Sequence, residues 1–309
     1  VIGVRILIAG VGAVGGYYGA LLARAGHDVV FLARGATLEA LRREGLTVRQ
    51  DDGSVHLGSV VAVDDPGAAP RPEAVLVCVK SYDTRAIAER LRTVVGPDTI
   101  VLSLQNGIDN EAVLAEVLGL PPLLVGLTRI GVELEAPGVV RYVGRGEIDL
   151  GEPDGRASPR AQRLAEAFTS AGIRCRIHPT ITVAAWEKLA WNAGFNAVTT
   201  LTDATVGEVL AQPTSRTLVR RAMEETDATA SAAGIAVRRR RIETVLAESA
   251  REMASFATSM LQDRRRGRRL EHDALNGAVV RAAARVGIAA PVNTVLHGLL
   301  VRLDPGARR

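Results

Sequence analysis

The sequence predicts two domains of different class: an α/β N-terminal domain, residues 1–178, on a mostly parallel sheet, and an all-α C-terminal domain, residues 179–309. Three observations carry this. Short apolar runs alternate with helix-like stretches up to His178, the pattern of parallel strands joined by crossover helices. After Pro179 no convincing strand follows, and Ala/Leu/Val-rich stretches of helical period take over. The first strand-like run leads into Gly10-x-Gly12-x-x-Gly15, a turn that in this setting opens a helix.

In chain order, RILIAG (5–10) reads as a buried strand, 13–25 as a helix, DVVFLA (28–33) as a second strand and 35–44 as a helix. LTVRQDDGSVHLG reads as a hairpin with Asp51-Asp52-Gly53 at its turn. EAVLVCV (73–79) is a buried strand before a helix at 82–92, and TIVLSL (99–104) is another before a helix at 108–118. Short strands near 123–131, 138–143 and 146–150 follow, with Pro137-Gly138 as a turn, then a helix near 158–171 and a strand at 173–177. The second domain reads as helices over 180–202, 214–233, 238–261, 271–286 and 291–303. No Ser/Gly-rich linker separates the two, which predicts closely packed domains.

Composition narrows the function class. With 309 residues and 47% hydrophobic content, the chain can bury a substantial core. Cys78 and Cys175 lie far apart, in no CxxC pair, and read as reduced thiols of a cytosolic protein. His27, His56, His178, His272 and His297 are scattered without metal-ligand spacing, so no metal is expected. The apolar N-terminal stretch contains Arg5 and glycines at 3, 10, 12, 15, 16 and 19, which suits strand, turn and helix better than a bilayer span. A cytoplasmic location is expected, with no membrane partner. Of 38 Lys and Arg residues, only Lys80 and Lys188 are lysine. An arginine here therefore carries little information and a lysine more. The runs Arg238 to Arg241 and Arg264 to Arg269 lack aromatic interleaving, so they read as solvated faces and not as a nucleic-acid site. The formal charge of +4 suits a small anionic ligand. A homodimer is compatible with the long C-terminal helices.

Gly10-x-Gly12-x-x-Gly15 follows a predicted strand and opens a predicted helix, with Gly19 one turn on. This is the context of a Rossmann-like dinucleotide-binding fingerprint. Gly10 permits the tight turn, Gly12 a close approach of pyrophosphate, and Gly15 the packing of helix on strand; the helix N-terminus faces the phosphates. NAD-binding chains usually carry an acid at the end of the second strand, whereas this one carries Arg34. A guanidinium can pair bidentately with a 2′-phosphate, so the predicted cofactor is NADP. Ligands in open α/β sheets sit at the carboxyl ends of strands. Lys80 and Asn106 stand at two such ends. Lys80 could meet cofactor phosphate or ribose. Asn106 could orient a nicotinamide or a substrate, or be an ordinary turn asparagine before Gly107.

In AWEKLAWNAGFNAVTTLTD (185–203), Lys188, Asn192 and Asn196 repeat at spacings of four. They form a narrow polar stripe, near Thr199 and Asp203, on a helix otherwise largely apolar. Asparagine is a poor interior helix residue, so two in register point to specific hydrogen bonding; the plainer alternative is a partly solvated face. Reducing a ketone needs hydride on carbon and a proton on oxygen. An ammonium can polarise the carbonyl and give the proton, and amides can hold the substrate in place.

The chain resembles the ketopantoate reductase (2-dehydropantoate 2-reductase) family over nearly its whole length. The resemblance lies in GVGAVGGYYGALLARAGHDVVFLARG, VCVKSYDT, LQNGID, GLTRIGVELEAPGVVRYVGRGEIDLGE, WEKLAWNAGFNAVTTLT and TSMLQDRRRGRRLEHDALNG, in that order. It implies a Rossmann domain, a helical domain, a cleft between them, and NADPH-dependent reduction of 2-dehydropantoate to pantoate, on the route to pantothenate. By motif match it makes Lys188 the general acid and Glu271 a group that binds a substrate hydroxyl. Ser259 would meet the substrate carboxylate, with Asn192 and Asn196 as further substrate ligands. Asn106 would lie beside the nicotinamide and Lys80 on the cofactor side. Ser259 and Glu271 come from the resemblance alone; by themselves they read as a helix cap and a surface ion pair. Leu270, His272, Phe256 and Val206 depart from residues common in the family. The alternatives are the same chemistry on another 2-oxo or 2-hydroxy acid, or an NADP-binding regulator without catalysis.

Overall fold

The computed structural model describes residues 3–51, 53–120, 123–237 and 241–308. The chain divides into two units, Val1–Gln105 with Asn110–Ile181, and Asn106–Asp109 with Thr182–Arg309. Sequence order alone assigns Asn106–Asp109 to the first domain. Packing groups it with the helices, because Ile108 lies against their apolar core and Asp109 pairs with Arg281.

In the first unit the elements are β1 (Arg5–Ala9), α1 (Ala13–Arg24), β2 (Asp28–Leu32), α2 (Gly35–Glu44), β3 (Leu46–Gln50), β4 (Gly53–Leu57), β5 (Val61–Val63), β6 (Ala74–Val77), α3 (Thr84–Leu91), β7 (Ile100–Ser103), α4 (Asn110–Leu118), β8 (Leu124–Ala136), β9 (Val139–Gly151), α5 (Pro159–Ser170) and β10 (Arg174–Ile177). The sheet runs β4-β3-β9-β8-β7-β6-β1-β2-β5, with β10 beside β9. From β5 to β8 all neighbours are parallel. Side chains alternate between two covered faces, as strand geometry requires. Ile6 and Ile8 pack with Tyr18, Leu22 and Phe31, whereas Leu7 and Ala9 pack with Val75, Val77, Leu91 and Leu114. This double burial explains why β1 and β6 read as unbroken apolar runs.

Two differences from the sequence reading stand out. The three short strands expected over 123–150 are two long antiparallel ones, β8 and β9, with register shifts at Arg129/Ile130, Gly131/Val132 and Leu134/Ala136. Such irregularities let paired strands bend without ending. The glycine-flanked Arg145 therefore falls inside β9 and does not break it. The outer edge of β9 is shared, its start pairing with β3 and its end with β10. The second difference is β5, whose three residues are too few to show a period in sequence. In the 51–53 turn, Asp52 lies outside the described residues.

In the second unit the elements are α6 (Ile181–Thr202), α7 (Val206–Ala211), α8 (Pro213–Ala232), α9 (Ile242–Glu252), α10 (Ser259–Arg265), α11 (Ala278–Arg285) and α12 (Pro291–Leu303). The stretch 238–261, read as one helix, is interrupted: α9 ends at Glu252 and α10 begins at Ser259. The cause is a cap, for the Thr258 hydroxyl accepts from the Leu261 N–H. Helix α7 escaped notice in sequence; Thr205 and Glu208 form a reciprocal capping box at its start. A π-helical turn, Asp273–Gly277, precedes α11 where a plain helix was expected. Arg238 to Arg240 of the first arginine run lie outside the described residues. In the second run, Arg264 donates to the Thr200 carbonyl and Arg265 to the Asp203 carboxylate at 2.7 Å. Among the described residues no helix is long and apolar enough to cross a membrane.

Candidate active site

The first unit builds its phosphate loop by close approach. Gly10, at φ +104°, ends β1; a Cβ there would lie 2.7 Å from the Val79 backbone nitrogen. A Cβ on Gly15 would come within 2.1 Å of the Gly10 carbonyl oxygen. At Gly12, the N-cap of α1, a Cβ would meet nothing within 4 Å. The first turn of α1 has no acidic side chain and no side-chain cap. Tight packing behind the loop with open space before it fits a bound pyrophosphate on a helix N-terminus.

Arg34 is the N-cap of α2, at the carboxyl end of β2, and its side chain is largely exposed. Its Nη2 donates to Asp83 Oδ2 at 2.9 Å. Asp83 belongs to the turn that also carries Lys80, which is half-buried. This turn is fixed from below by a buried amide that sequence reading passed over. Gln105 Nε2 donates to the Val79 carbonyl at 2.9 Å and to Thr84 Oγ1 at 2.8 Å. Thr84 in turn donates to Asn110 Oδ1 at 2.9 Å. A glutamine at the end of an apolar strand was the available signal.

The second unit places the polar stripe on α6. Lys188 is half-buried, while Asn192 is 7% and Asn196 1% exposed. A solvated face is thereby ruled out for the asparagines. Asp203 falls outside α6 in a left-handed turn, at φ 54°, and pairs with Arg265; it is not part of the buried stripe. The two amides are oriented by a backbone group. Met260 N–H can only donate, and it donates to Asn196 Oδ1 at 3.1 Å. Asn196 Nδ2 must then donate, and it reaches Asn192 Oδ1 at 3.1 Å. Asn192 therefore presents its own Nδ2 donors away from Asn196. Ser259 Oγ, exposed at the start of α10, also donates to Asn196 Oδ1 at 3.4 Å. One turn on, Thr199 and Thr258 share a buried hydroxyl contact of 2.8 Å. Thr258, unmarked in the sequence reading, thus caps α10 and ties it to α6.

Glu271 is 6% exposed, two residues before the π turn. Its neighbour His272 reaches Asp304 Oδ2 at 3.3 Å, and Asp304 Oδ1 accepts from the Leu270 N–H at 3.0 Å. The buried Asp304 carboxylate thus holds both flanks of Glu271. Asn106 is half-buried and starts the segment that groups with this unit. The structure therefore brings Asn192, Asn196 and Ser259 together, and places Asn106, Lys188 and Glu271 in the same unit; Gly10, Gly12, Gly15, Arg34 and Lys80 belong to the other.

Burial pushes the thiols of Cys78 and Cys175 up to about 12, which leaves them unreactive at neutral pH. No group of three or more His, Cys, Asp or Glu that could hold a metal ion occurs among the described residues.

A Gly-rich turn between the first strand and helix of a largely parallel sheet, with a helical unit following it in sequence, places the chain in the class of dinucleotide-binding proteins. Residues 6–155 match the family described as Ketopantoate reductase PanE/ApbA, and residues 180–304 match its C-terminal region. A 2-dehydropantoate 2-reductase of Halobacterium salinarum is 36% identical, over 96% of this chain and 97% of that protein. The crystal structure of a 2-dehydropantoate 2-reductase from Geobacter metallireducens superposes with a TM-score of 0.91 at 37% identity, covering 96% of this chain and 99% of that one. D-mandelate dehydrogenase, solved with NADH and anilino(oxo)acetate, shares the fold at a TM-score of 0.91 and 22% identity, covering 98% of this chain and 99% of that one. The chain belongs to the ketopantoate reductase family, and its enzyme class is oxidoreductase with a nicotinamide dinucleotide cofactor.

Proposed function

We propose that this protein reduces the 2-oxo group of 2-dehydropantoate to pantoate with NADPH, residues 1–178 serving the cofactor and 179–309 the substrate. The observation that carries the substrate half is the buried, oriented Asn192–Asn196 pair one turn beyond Lys188. An amide whose acceptor end is fixed, so that its donors are presented away from the pair, suits a small anionic substrate. The loop of Gly10, Gly12 and Gly15 holds the pyrophosphate, Arg34 the 2′-phosphate, and Lys80 a cofactor phosphate or ribose. When bound, the reduced nicotinamide supplies the hydride.

Lys188 polarises the keto group and gives its proton to the developing alkoxide oxygen, as general acid. The Asn192 donors bind a substrate oxygen, with Asn196 fixing their direction, and the Ser259 hydroxyl turns its one proton from Asn196 Oδ1 to the substrate carboxylate. Glu271 holds the substrate hydroxyl, and Asn106 keeps the carbonyl and nicotinamide in register. A cytoplasmic enzyme of intermediary metabolism, acting without nucleic acid or membrane, fits this reading. A homodimer is compatible with it.

The test is kcat/KM across a panel of 2-oxo acids with NADPH. Ketopantoate should rank first. A higher rank for another 2-oxo acid would move the substrate and keep the chemistry. No NADPH oxidation with any of them would sink the catalytic reading.

A further inference from the structure

We propose that Arg281 is a positioning residue for this reaction, holding the segments that carry Asn106 and Glu271 in one fixed relation. Arg281 lies on α11 and acts through the neighbours of both residues, Asp109 and Asp273. Its Nη2 donates to Asp109 Oδ2 at 2.9 Å, three residues beyond Asn106. Its Nη1 donates to Asp273 Oδ1 at 2.7 Å, two residues beyond Glu271, and Nη2 reaches the Asp273 carbonyl oxygen at 3.0 Å. One guanidinium thus spans two segments more than 160 residues apart in sequence, the contact to Asp109 having a separation of 172.

The surroundings are built for this fork. Asp273 opens the π turn, which the Gly277 N–H closes onto the His272 carbonyl at 3.0 Å. A Cβ on Gly277 would stand 2.7 Å from Asp273 Oδ1, 3.0 Å from His297 Nε2 and 3.2 Å from Arg281 Nη1. A side chain at 277 would push these flexible ends outward, so glycine leaves the guanidinium and carboxylate room to close over the turn. π turns of this kind recur at functional sites, where they re-aim side chains within a helix. On the other side, Gly107 is in a left-handed conformation at φ +107°, and Ile108 is packed on the helical core. Asp109 is thereby presented to α11. Arg285, one turn further along α11, stands 3.8 Å from Asp109 Oδ1 and adds charge without a second fork. A lysine at 281 keeps the charge but offers a single point donor, whereas the planar guanidinium presents Nη1 to Asp273 and Nη2 to Asp109 at fixed separation.

The inference rests on the assignment of Asn106 and Glu271 to the site. It is tested in the full-length enzyme with NADPH and ketopantoate, by steady-state kinetics, thermal melting and NADPH titration of Arg281→Gln, Arg281→Lys and Asp109→Asn. Asn106→Ala and Glu271→Ala are run beside them. A half-exposed ion pair with no further role changes stability little and leaves kinetics alone. We expect Arg281→Gln to lower kcat/KM by roughly a hundredfold, the scale of a misplacement of about 1 Å, with NADPH affinity unchanged. Arg281→Lys should recover only part of the loss. Combining Arg281→Gln with Asp109→Asn should lose less than the product of the two single effects, since both cut one link. If Asn106→Ala and Glu271→Ala are impaired while Arg281→Gln stays within twofold, or loses activity only in step with unfolding, the positioning role is wrong and the site assignment stands. If Asn106→Ala and Glu271→Ala are both fully active, the site assignment fails and the inference with it.

Discussion

Asn192→Asp separates the two ends of one amide. The substitution keeps the acceptor that Asn196 Nδ2 reaches at 3.1 Å, because an aspartate oxygen can stand where the Asn192 oxygen stood. It removes the opposite end, where two N–H donors become an acceptor carrying charge. The proposed ligand is a carboxylate-bearing oxo acid, so the change acts twice. A lost hydrogen bond to a charged group is worth about 1.5–3 kcal/mol, roughly 10- to 150-fold in kcat/KM. A carboxylate placed about 4 Å from a substrate oxyanion adds repulsion of ~4 kcal/mol at an effective dielectric constant of about 20. Together these put kcat/KM down by more than about a thousandfold.

Asn192 is 7% exposed, so desolvating a carboxylate there lowers the melting temperature as well. The kinetics are therefore read well below the transition, on protein shown to be folded by circular dichroism, with NADPH affinity as the control. A folded variant that binds NADPH normally and keeps kcat/KM within threefold would show that Asn192 does not meet the substrate. The orientation argued from Met260 would then have no functional meaning.

Four further outcomes follow from the same geometry. Lys188→Ala should lower kcat by on the order of 10²–10⁴, the usual contribution of a positioned acid, while NADPH binding persists in a fluorescence titration; an unaffected kcat would remove Lys188 from the chemistry. Arg34→Ala should weaken NADPH by about tenfold or more relative to NADH, as expected for a lost charge-assisted bond, and equal losses for the two cofactors would refute the 2′-phosphate contact. Cys78 and Cys175, partly buried and with thiols pushed up to about 12 by burial, should react with an aromatic disulfide reagent at pH 8 at least about tenfold more slowly than the same thiols in urea, and equal rates would refute it. His27 and His297 are both held below the ordinary histidine range by burial. Their neutral forms are favoured by folding, so the stability they contribute is complete above about pH 6.5 and is lost as pH falls below it, by at most about 1.4 kcal/mol per pH unit for each. Urea midpoints at pH 7.5 and 5.5 measure this, and a flat profile would contradict it.

Much of the first unit was legible because its strands are buried on both faces. β1, β6 and β7 stand out as apolar runs, and α2 begins and ends at glycines; in the second unit α12 is likewise bounded by Pro291 and Asp304-Pro305. What the sequence hid was long-range. β9 survives Gly144-Arg145-Gly146 only because β8 pairs with it throughout and absorbs the shifts. The 238–261 stretch looks like one helix because a capping threonine, Thr258, is locally an ordinary helix residue and becomes a stop only when its hydroxyl turns to the Leu261 N–H. Arg281 is one of 36 arginines, and nothing local marks it as the one that spans Asp109 and Asp273.

The α6 stripe shows where local reading stops. A spacing of four puts Lys188, Asn192 and Asn196 on one face, and the rarity of lysine marks that face. Periodicity is silent on which way an amide points, and that direction decides whether the face attracts or repels an anion. Here it is decided by a single N–H from α10, 64 residues away in sequence. That N–H is available because Thr258 starts the helix there. A shift of the cap by one residue would move the donor, release Asn196 and let Asn192 present its carbonyl oxygen instead. The anion preference of the site is thus set at the start of α10. Thr258→Ala should accordingly raise KM for the oxo acid more than it lowers kcat, without touching any group that meets the substrate. An unchanged KM in a folded Thr258→Ala protein would show that the Asn196 orientation does not depend on the cap.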